Sequence, residues 1–224
     1  MCREGWKPIN QRNGGDNSGL QRKSRKFSWI SRVIVLRDRA EALKQELLAE
    51  MTKIKVGPAW DPEATTGPLI KQTQLDTVTE YIRIGREEGA RLLAGGEVLR
   101  DGEYADGCHV TPALFDRVTP DMRIAREEVF GPELCVLETG DAESALRMAN
   151  NTDYGLAAAV FTDRLAEAED FAERLRSGMV HINHGKLTVH APFGGVKMSG
   201  YGPYSIGRSN LEFYTEMKVL DAQY

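Results

Sequence analysis

Leu134-Cys135-Val136-Leu137, the segment Asp141 to Asn150, and Leu156-Ala157-Ala158-Ala159-Val160-Phe161 together form the stretch that decides the fold. The first four residues are an uninterrupted apolar run, which reads as a buried strand. Asp141 stands where an N-cap belongs, ahead of a helix that runs to Asn150. Leu156 to Phe161 reads as a second strand. Two strands joined by a helix imply a crossover connection and parallel neighbours, with helices covering the sheet.

The same alternation extends in both directions. Downstream, Leu165, Ala168, Phe171 and Leu175 share one helical face, and Met179 to Asn183 reads as a further strand. Upstream, Arg32 to Leu36 is a strand candidate. Ala40, Leu43, Leu47, Leu48, Met51 and Ile54 then recur at helical spacing until Gly57-Pro58. A loop to Pro68 precedes a second helix marked by Leu75, Val78, Tyr81 and Ile82 and ending near Gly89. Ala90 to Ala94 is a short strand, Gly95 to Gly107 a hairpin or loop, and His109 to Phe115 an extended segment, since proline disfavours helix before it. The expected fold is α/β, with a mostly parallel β-α-β sheet carrying helices on both faces. Phe213 to Leu220 alternates like an exposed strand after a Gly/Pro-rich stretch, so it is expected to leave the body and add to another sheet.

Composition bounds the function classes. The 224 residues carry a formal net charge of -4, but residues 1–27 hold seven Lys/Arg against two Asp/Glu. That basic segment is poor in apolar side chains and reads as an unordered tail. It lacks the interleaved aromatics of a nucleic-acid surface, so nucleic acid is disfavoured as a partner. No apolar run is long enough to cross a bilayer, and a soluble, cytoplasmic protein is expected. Cys2, Cys108 and Cys135 are odd in number and widely spaced, which fits a reducing compartment. The expected division is a tail at 1–27, an α/β domain at 28–200, and a segment at 201–224 with an oligomerisation strand.

In an open parallel sheet, ligands bind beyond the strand ends, so the loops there are the candidates. Glu127-Glu128-Val129-Phe130-Gly131-Pro132 sets a carboxylate beside an aromatic, a combination suited to a ribose and a flat ring; the same residues also read as a helix end and a core phenylalanine. Pro192-Phe193-Gly194-Gly195-Val196-Lys197-Met198-Ser199-Gly200 permits close backbone approach, either to a ligand or in a tight structural turn. Gly200-Tyr201-Gly202 does not continue into a dinucleotide fingerprint. His181, His184 and His190 have no standard zinc spacing, and His181 on a strand would point away from its even-numbered neighbours, so no metal site is expected. Cys135, desolvated in mid-strand, is a poor nucleophile.

Taken in order, the blocks Ser31 to Val35, Gly67 to Ile70, Glu127 to Pro132, Tyr154 to Thr162, Gly178 to Asn183, Pro192 to Gly200 and Glu212 to Lys218 resemble the carboxy-terminal half of the NAD(P)-dependent aldehyde dehydrogenases. The resemblance implies NAD or NADP as cofactor and a small aldehyde as substrate. It implies that Glu128 contacts the nicotinamide ribose, that Phe130 packs beside the nicotinamide, and that Asn183 and Phe193 lie at the substrate end of the pocket. His181 to Gly185 and Gly202 to Gly207 are similar to members acting on small acidic semialdehydes.

In that family a cysteine thiolate attacks the aldehyde, hydride passes to NAD(P)+, and water releases the acid. The nucleophile belongs a few residues before Ser31, where this chain has Phe27. The family's first half, with its cofactor domain and general base, has no counterpart here. No catalytic residue is therefore assigned, and the chain alone is expected to be inactive: either a remnant or interaction protein, or a half-enzyme completed by a separate chain. The open interdomain face implies a homo-oligomer or pairing with a first-half chain.

Overall fold

The computed structural model describes residues 30–185 and 190–223. The tail and Phe27 lie outside the described residues. The elements are β1 (Arg32–Leu36), α1 (Arg37–Met51), α2 (Gln72–Glu87), β2 (Arg91–Ala94), β3 (Val98–Leu99), β4 (His109–Val110), β5 (Ala113–Asp116), α3 (Arg123–Arg126), β6 (Glu133–Thr139), α4 (Ala142–Asn150), β7 (Tyr154–Gly155), β8 (Ala157–Val160), α5 (Leu165–Arg174), β9 (Met179–Ile182), β10 (Val196–Lys197) and α6 (Asn210–Tyr214).

The central sheet runs β1-β6-β5-β2. Its β1/β6 and β5/β6 pairings are parallel and its β2/β5 pairing antiparallel, so a mixed edge closes a parallel core. β8 and β9 form a separate parallel pair. β3 pairs antiparallel with β4, so the loop expected from Gly95 to Gly107 carries only the first strand of a hairpin whose second strand begins the extended segment at His109. The strand–helix–strand reading holds: β6 leads through α4 to β8, and the Asp141 carboxylate accepts a 2.7 Å bond from the Ser144 amide at the start of α4. That cap satisfies a donor the helix cannot satisfy itself.

Alternation along the strands sends side chains to two cores. Val35, Leu114, Leu134 and Val136 pack against Ala40 and Leu43 of α1. On the opposite face, Phe115, Cys135 and Leu137 meet Leu75, Val78 and Ile82 of α2. A third core joins Ala145 and Leu146 of α4 to Val160 and Phe171, with Ile34 of β1 at its border. The Arg32 guanidinium donates to the carbonyls of Met148 (3.2 Å) and Ala149 (3.3 Å), closing the C-terminal end of α4 with a cation where the helix dipole favours one. Burial opposes that charge and lowers the Arg32 pKa.

Two expectations need correction. The first helix ends at Met51 rather than reaching Gly57-Pro58, because Thr52 and Lys53 already turn back onto Leu48 and Glu50. Phe213 and Tyr214, expected to begin a strand, instead close the short helix α6, which the Ile206–Asn210 bond starts: the Asn210 side-chain oxygen accepts from the Ile206 amide at 2.6 Å. Residues 215–223 follow without a strand partner among the described residues, with Met217 95% and Leu220 86% exposed.

Candidate functional site

The Glu127–Pro132 block leaves α3 and is fixed from three sides. Arg123 donates to both carboxylate oxygens of Glu127, each at 2.9 Å, and lies 5.3 Å from the centre of the Tyr81 ring. The Tyr81 hydroxyl donates to the same carboxylate. Arg123 first and Tyr81 second hold the Glu127 pKa below its ordinary value. The Gln74 amide of α2 donates to the carbonyls of Val129 (2.9 Å) and Phe130 (3.2 Å). Glu127 is thus consumed structurally, and its neighbour Glu128 stands exposed at a cavity of about 310 Å³ between β1 and β8. Phe130 is 50% exposed with φ +56°.

The Pro192–Gly200 block is fixed just as firmly. β10 pairs with β7, the Ser199 hydroxyl accepts from the Gly155 amide at 3.1 Å, and the Met198 amide donates to Asp153 O at 2.9 Å. A Cβ on Gly200 would sit 1.8 Å from Gly195 O, so only glycine permits that closure. Lys197 donates to the carbonyls of Asn150 (3.0 Å) and Thr152 (2.8 Å), and the Thr152 hydroxyl donates to Arg126 O at 3.4 Å. Residues 150–155 therefore link the Pro192–Gly200 block to Arg126, just ahead of the Glu127–Pro132 block. Phe193 is half-buried and exchanges backbone bonds with Ser205 at 2.6 and 2.9 Å.

Asn183 lies at the end of β9 with φ +57°. Its side-chain oxygen accepts from the Thr162 amide at 2.9 Å and its amide donates to Thr162 O at 2.8 Å, so this side chain clamps the end of β8 to the end of β9. Glu128 lines the cavity, whereas Phe130, Asn183 and Phe193 are not part of its wall. Among the described residues five non-glycines have positive φ, and Phe130, Asn183 and Lys197 are three of them. Such backbone costs energy and persists where surrounding structure enforces it, often at functional sites.

The histidine expectation is corrected in one respect: His181 and His184 do meet, ring centres 5.0 Å apart and edge to face. The left-handed turn at Asn183 folds the chain back and cancels the alternation of the strand. Burial, then His184, lowers the His181 pKa. Among the described residues no three His, Cys, Asp or Glu side chains gather as a metal site would require. Cys135 is fully buried, and burial drives its thiol pKa far up, as befits an inert core residue. Gln74, Tyr81, Arg123, Thr152 and Lys197, which hold the two blocks, escaped sequence reasoning; for Gln74 the only available sign was a polar residue one position before Leu75 on an amphipathic helix.

The body is a parallel-stranded α/β fold, and residues 150–155 carry contacts from the Pro192–Gly200 block to Arg126. The chain belongs to the aldehyde dehydrogenase family, whose pattern it matches over residues 27–220. It is 37% identical over 197 residues to alpha-ketoglutaric semialdehyde dehydrogenase of Bacillus subtilis strain 168, covering 87% of this chain and 40% of that protein. It is 44% identical over 189 residues to betaine aldehyde dehydrogenase of Cereibacter sphaeroides strain ATCC 17029 / ATH 2.4.9, covering 84% and 38%. Among solved structures, HpcC from Thermus thermophilus is similar with a TM-score of 0.79 at 41% identity, over 84% of this chain and 37% of that one. Betaine aldehyde dehydrogenase from Staphylococcus aureus in complex with NAD+ is similar with a TM-score of 0.77 at 33% identity, over 82% and 37%. The chain thus spans about 40% of the length of the relatives it matches. No helix among the described residues is long and apolar enough to cross a membrane.

Proposed function

We propose that this chain supplies one wall of an aldehyde dehydrogenase site, and that it oxidises an aldehyde with NAD(P)+ only when the remainder of such an enzyme completes it. The observation that carries this reading is the chain of contacts Lys197, Thr152, Arg126, which links the Phe193 block to the residue just before the Glu128 block. Rigidity of this kind is what positioning chemistry requires.

The exposed Glu128 carboxylate and the Phe130 ring, borne on one braced turn, fit the ribose and flat ring of a nicotinamide cofactor. When bound, that cofactor supplies the hydride acceptor. The residues of this chain orient it: Glu128 accepts from ribose hydroxyls, and Phe130 offers an apolar surface. Asn183 shapes the substrate end through the β8/β9 clamp, and Phe193 borders it. Phe27 offers no nucleophile, so the thiolate must come from the completing segment. The exposed Met217, Val219 and Leu220 suit a strand that adds to a sheet of another subunit, which makes a homo-oligomer the expected assembly.

An acidic semialdehyde is the proposed substrate, supported by similarity to the Bacillus subtilis enzyme of that name. The 44% identity to betaine aldehyde dehydrogenase favours a second reading, a cationic aldehyde. Co-expressing the chain with the unmatched portion of the Bacillus subtilis relative and assaying both aldehydes with NAD+ and NADP+ tests the proposal. Preference for the semialdehyde supports the first reading, preference for betaine aldehyde the second, and no oxidation of either refutes the proposed function.

A further inference from the structure

Glu133 is a buried carboxyl for which the site has so far no use. It opens β6 directly after Pro132 and is only 6% exposed, and among the described residues its Oε2 has no hydrogen-bond partner. Side chains of β6 alternate between two faces: Leu134 and Val136 pack with α1, whereas Cys135 and Leu137 join the core formed with α2. Glu133 therefore points into the α2 core, at the root of the turn that carries Glu128 and Phe130. One step along the same face, the Cys135 thiol donates to Ile124 O of α3 at 3.6 Å, and Ala125 and Val129 belong to the same core. α3 and the turn after it thus cover this end of the face.

The strand beneath cannot yield. β6 is bonded to β1 on one side and β5 on the other, with Glu133 paired to Ala113 and the Ala113 amide donating to Pro132 O at 2.8 Å. Water reaches the carboxyl when the cover, residues 123–131, lifts. The charged and titratable groups of the surrounding elements are occupied or turned outward. β5 presents Ala113 and Phe115 on this face, and Cys135 is the neighbour on β6. Arg32 of β1 gives its guanidinium to the Met148 and Ala149 carbonyls. Arg123, Arg126, Glu127 and Glu128 are exposed, as are Asp76, Glu80, Arg83, Arg86 and Glu87 of α2, and Tyr81 bonds Glu127. Burial is what pushes the Glu133 pKa up, to about 8.

We propose that Glu133 is a positioning residue for the cofactor turn: its protonated carboxyl lets the turn close over β6 with Glu128 and Phe130 in place, and its ionisation opens the turn. The role toward the cofactor rests on the reading of Glu128 and Phe130 above; the switch itself rests on the buried carboxyl and its cover. In the opened turn the carboxyl is hydrated and titrates near its ordinary value of 4.5, so opening releases a proton and grows easier as pH rises, levelling off above about 8. Linkage across these two values makes opening on the order of a hundredfold more favourable at pH 8 than at pH 5.

The test is amide hydrogen exchange on the full chain between pH 5 and pH 8, each rate divided by the intrinsic rate at that pH. Protection at residues 129–131 should fall about a hundredfold across the range, against less than ~threefold at residues 145–149 of α4. Glu133→Gln and Glu133→Met, both neutral and of similar length, should each abolish the pH dependence at 129–131. In the chain co-purified with the unmatched portion of the Bacillus subtilis relative, the KM for NAD+ should rise ~tenfold from pH 6 to pH 9, where about a tenth of the carboxyls remain protonated. Glu133→Gln should hold that KM level, with kcat following the same pH course in both. Protection that does not vary with pH, an equal fall in α4, or a pH dependence that survives both substitutions overturns the proposal. A KM whose rise is the same in Glu133→Gln overturns the role toward the cofactor. The expected exchange in a chain whose complex oxidises no aldehyde supports the switch and refutes the proposed function.

Discussion

Lys197 donates to the carbonyl of Thr152 at 2.8 Å, and through that one residue the Pro192–Gly200 block is linked to Arg126, the residue just before the Glu127–Pro132 block. The ammonium also holds Asn150 O at 3.0 Å, at the end of α4. Asn150 O keeps a second donor, the Thr152 amide at 2.9 Å, so the loss falls mainly on Thr152 O. Lys197→Met should lower stability by about 1–2 kcal/mol, the penalty for removing a charged donor from a partly buried acceptor. Urea denaturation monitored by far-UV circular dichroism reads this as a lower midpoint with unchanged slope.

Glu133 gives the fold a pH dependence. Its carboxyl is buried, one oxygen has no partner, and burial pushes its pKa up to about 8. A carboxyl raised in the fold stays protonated there while the unfolded chain ionises, so its penalty is absent below the ordinary value of 4.5, grows as pH rises, and is complete above about 8. Glu133→Gln should match the parent near pH 4.5 and exceed it by about 5 kcal/mol at pH 8.5. Equal gains at both pH values would show that titration of Glu133 is not the cause.

The left-handed Phe130 is braced by Gln74, whose amide donates to the carbonyls of Val129 and Phe130. Gln74→Ala should cost about 1 kcal/mol. Hydrogen exchange should quicken at residues 129–131 and remain unchanged in α4.

Asp141 is the clearest local determinant. Asp141→Ala should destabilise by about 1 kcal/mol, whereas Asp141→Asn should cost much less, because an amide oxygen can still accept from Ser144 N. Thermal melts of the two variants side by side make the comparison.

The exposed end of the chain governs association. Removing residues 215–224 deletes Met217, Val219 and Leu220, which stand 95%, 83% and 86% exposed. Sedimentation velocity should show a smaller self-associated fraction without a fall in melting temperature, since none of these side chains contributes to the core.

Local signals made much of the fold legible in the sequence. The apolar run 134–137, the Asp141 cap and the helical spacing of α2 and α5 each report on a few adjacent residues, and each element formed where its pattern lies. Pairing between strands does not leave such a trace. That β2 runs antiparallel to β5, or that β8 joins β9 and not β1, depends on residues far apart in sequence. Phe213 and Tyr214 alternate like a strand, yet the short helix at Asn210 absorbs them, and residues 215–223 pair with no strand among the described residues. At the site, Glu128 and Phe130 stood out by residue type. Gln74 and Lys197 did not, because a lone amide or ammonium becomes meaningful only beside carbonyls tens of residues away.

The central claim is that this chain builds part of an aldehyde dehydrogenase site and performs no chemistry alone. Its most direct test is NADH formation from an acidic semialdehyde and NAD+, measured for the purified chain and for the same chain co-purified with the unmatched portion of the Bacillus subtilis relative. The account predicts background rates for the first and turnover for the second. Turnover by the isolated chain, or none by the complex, would contradict it.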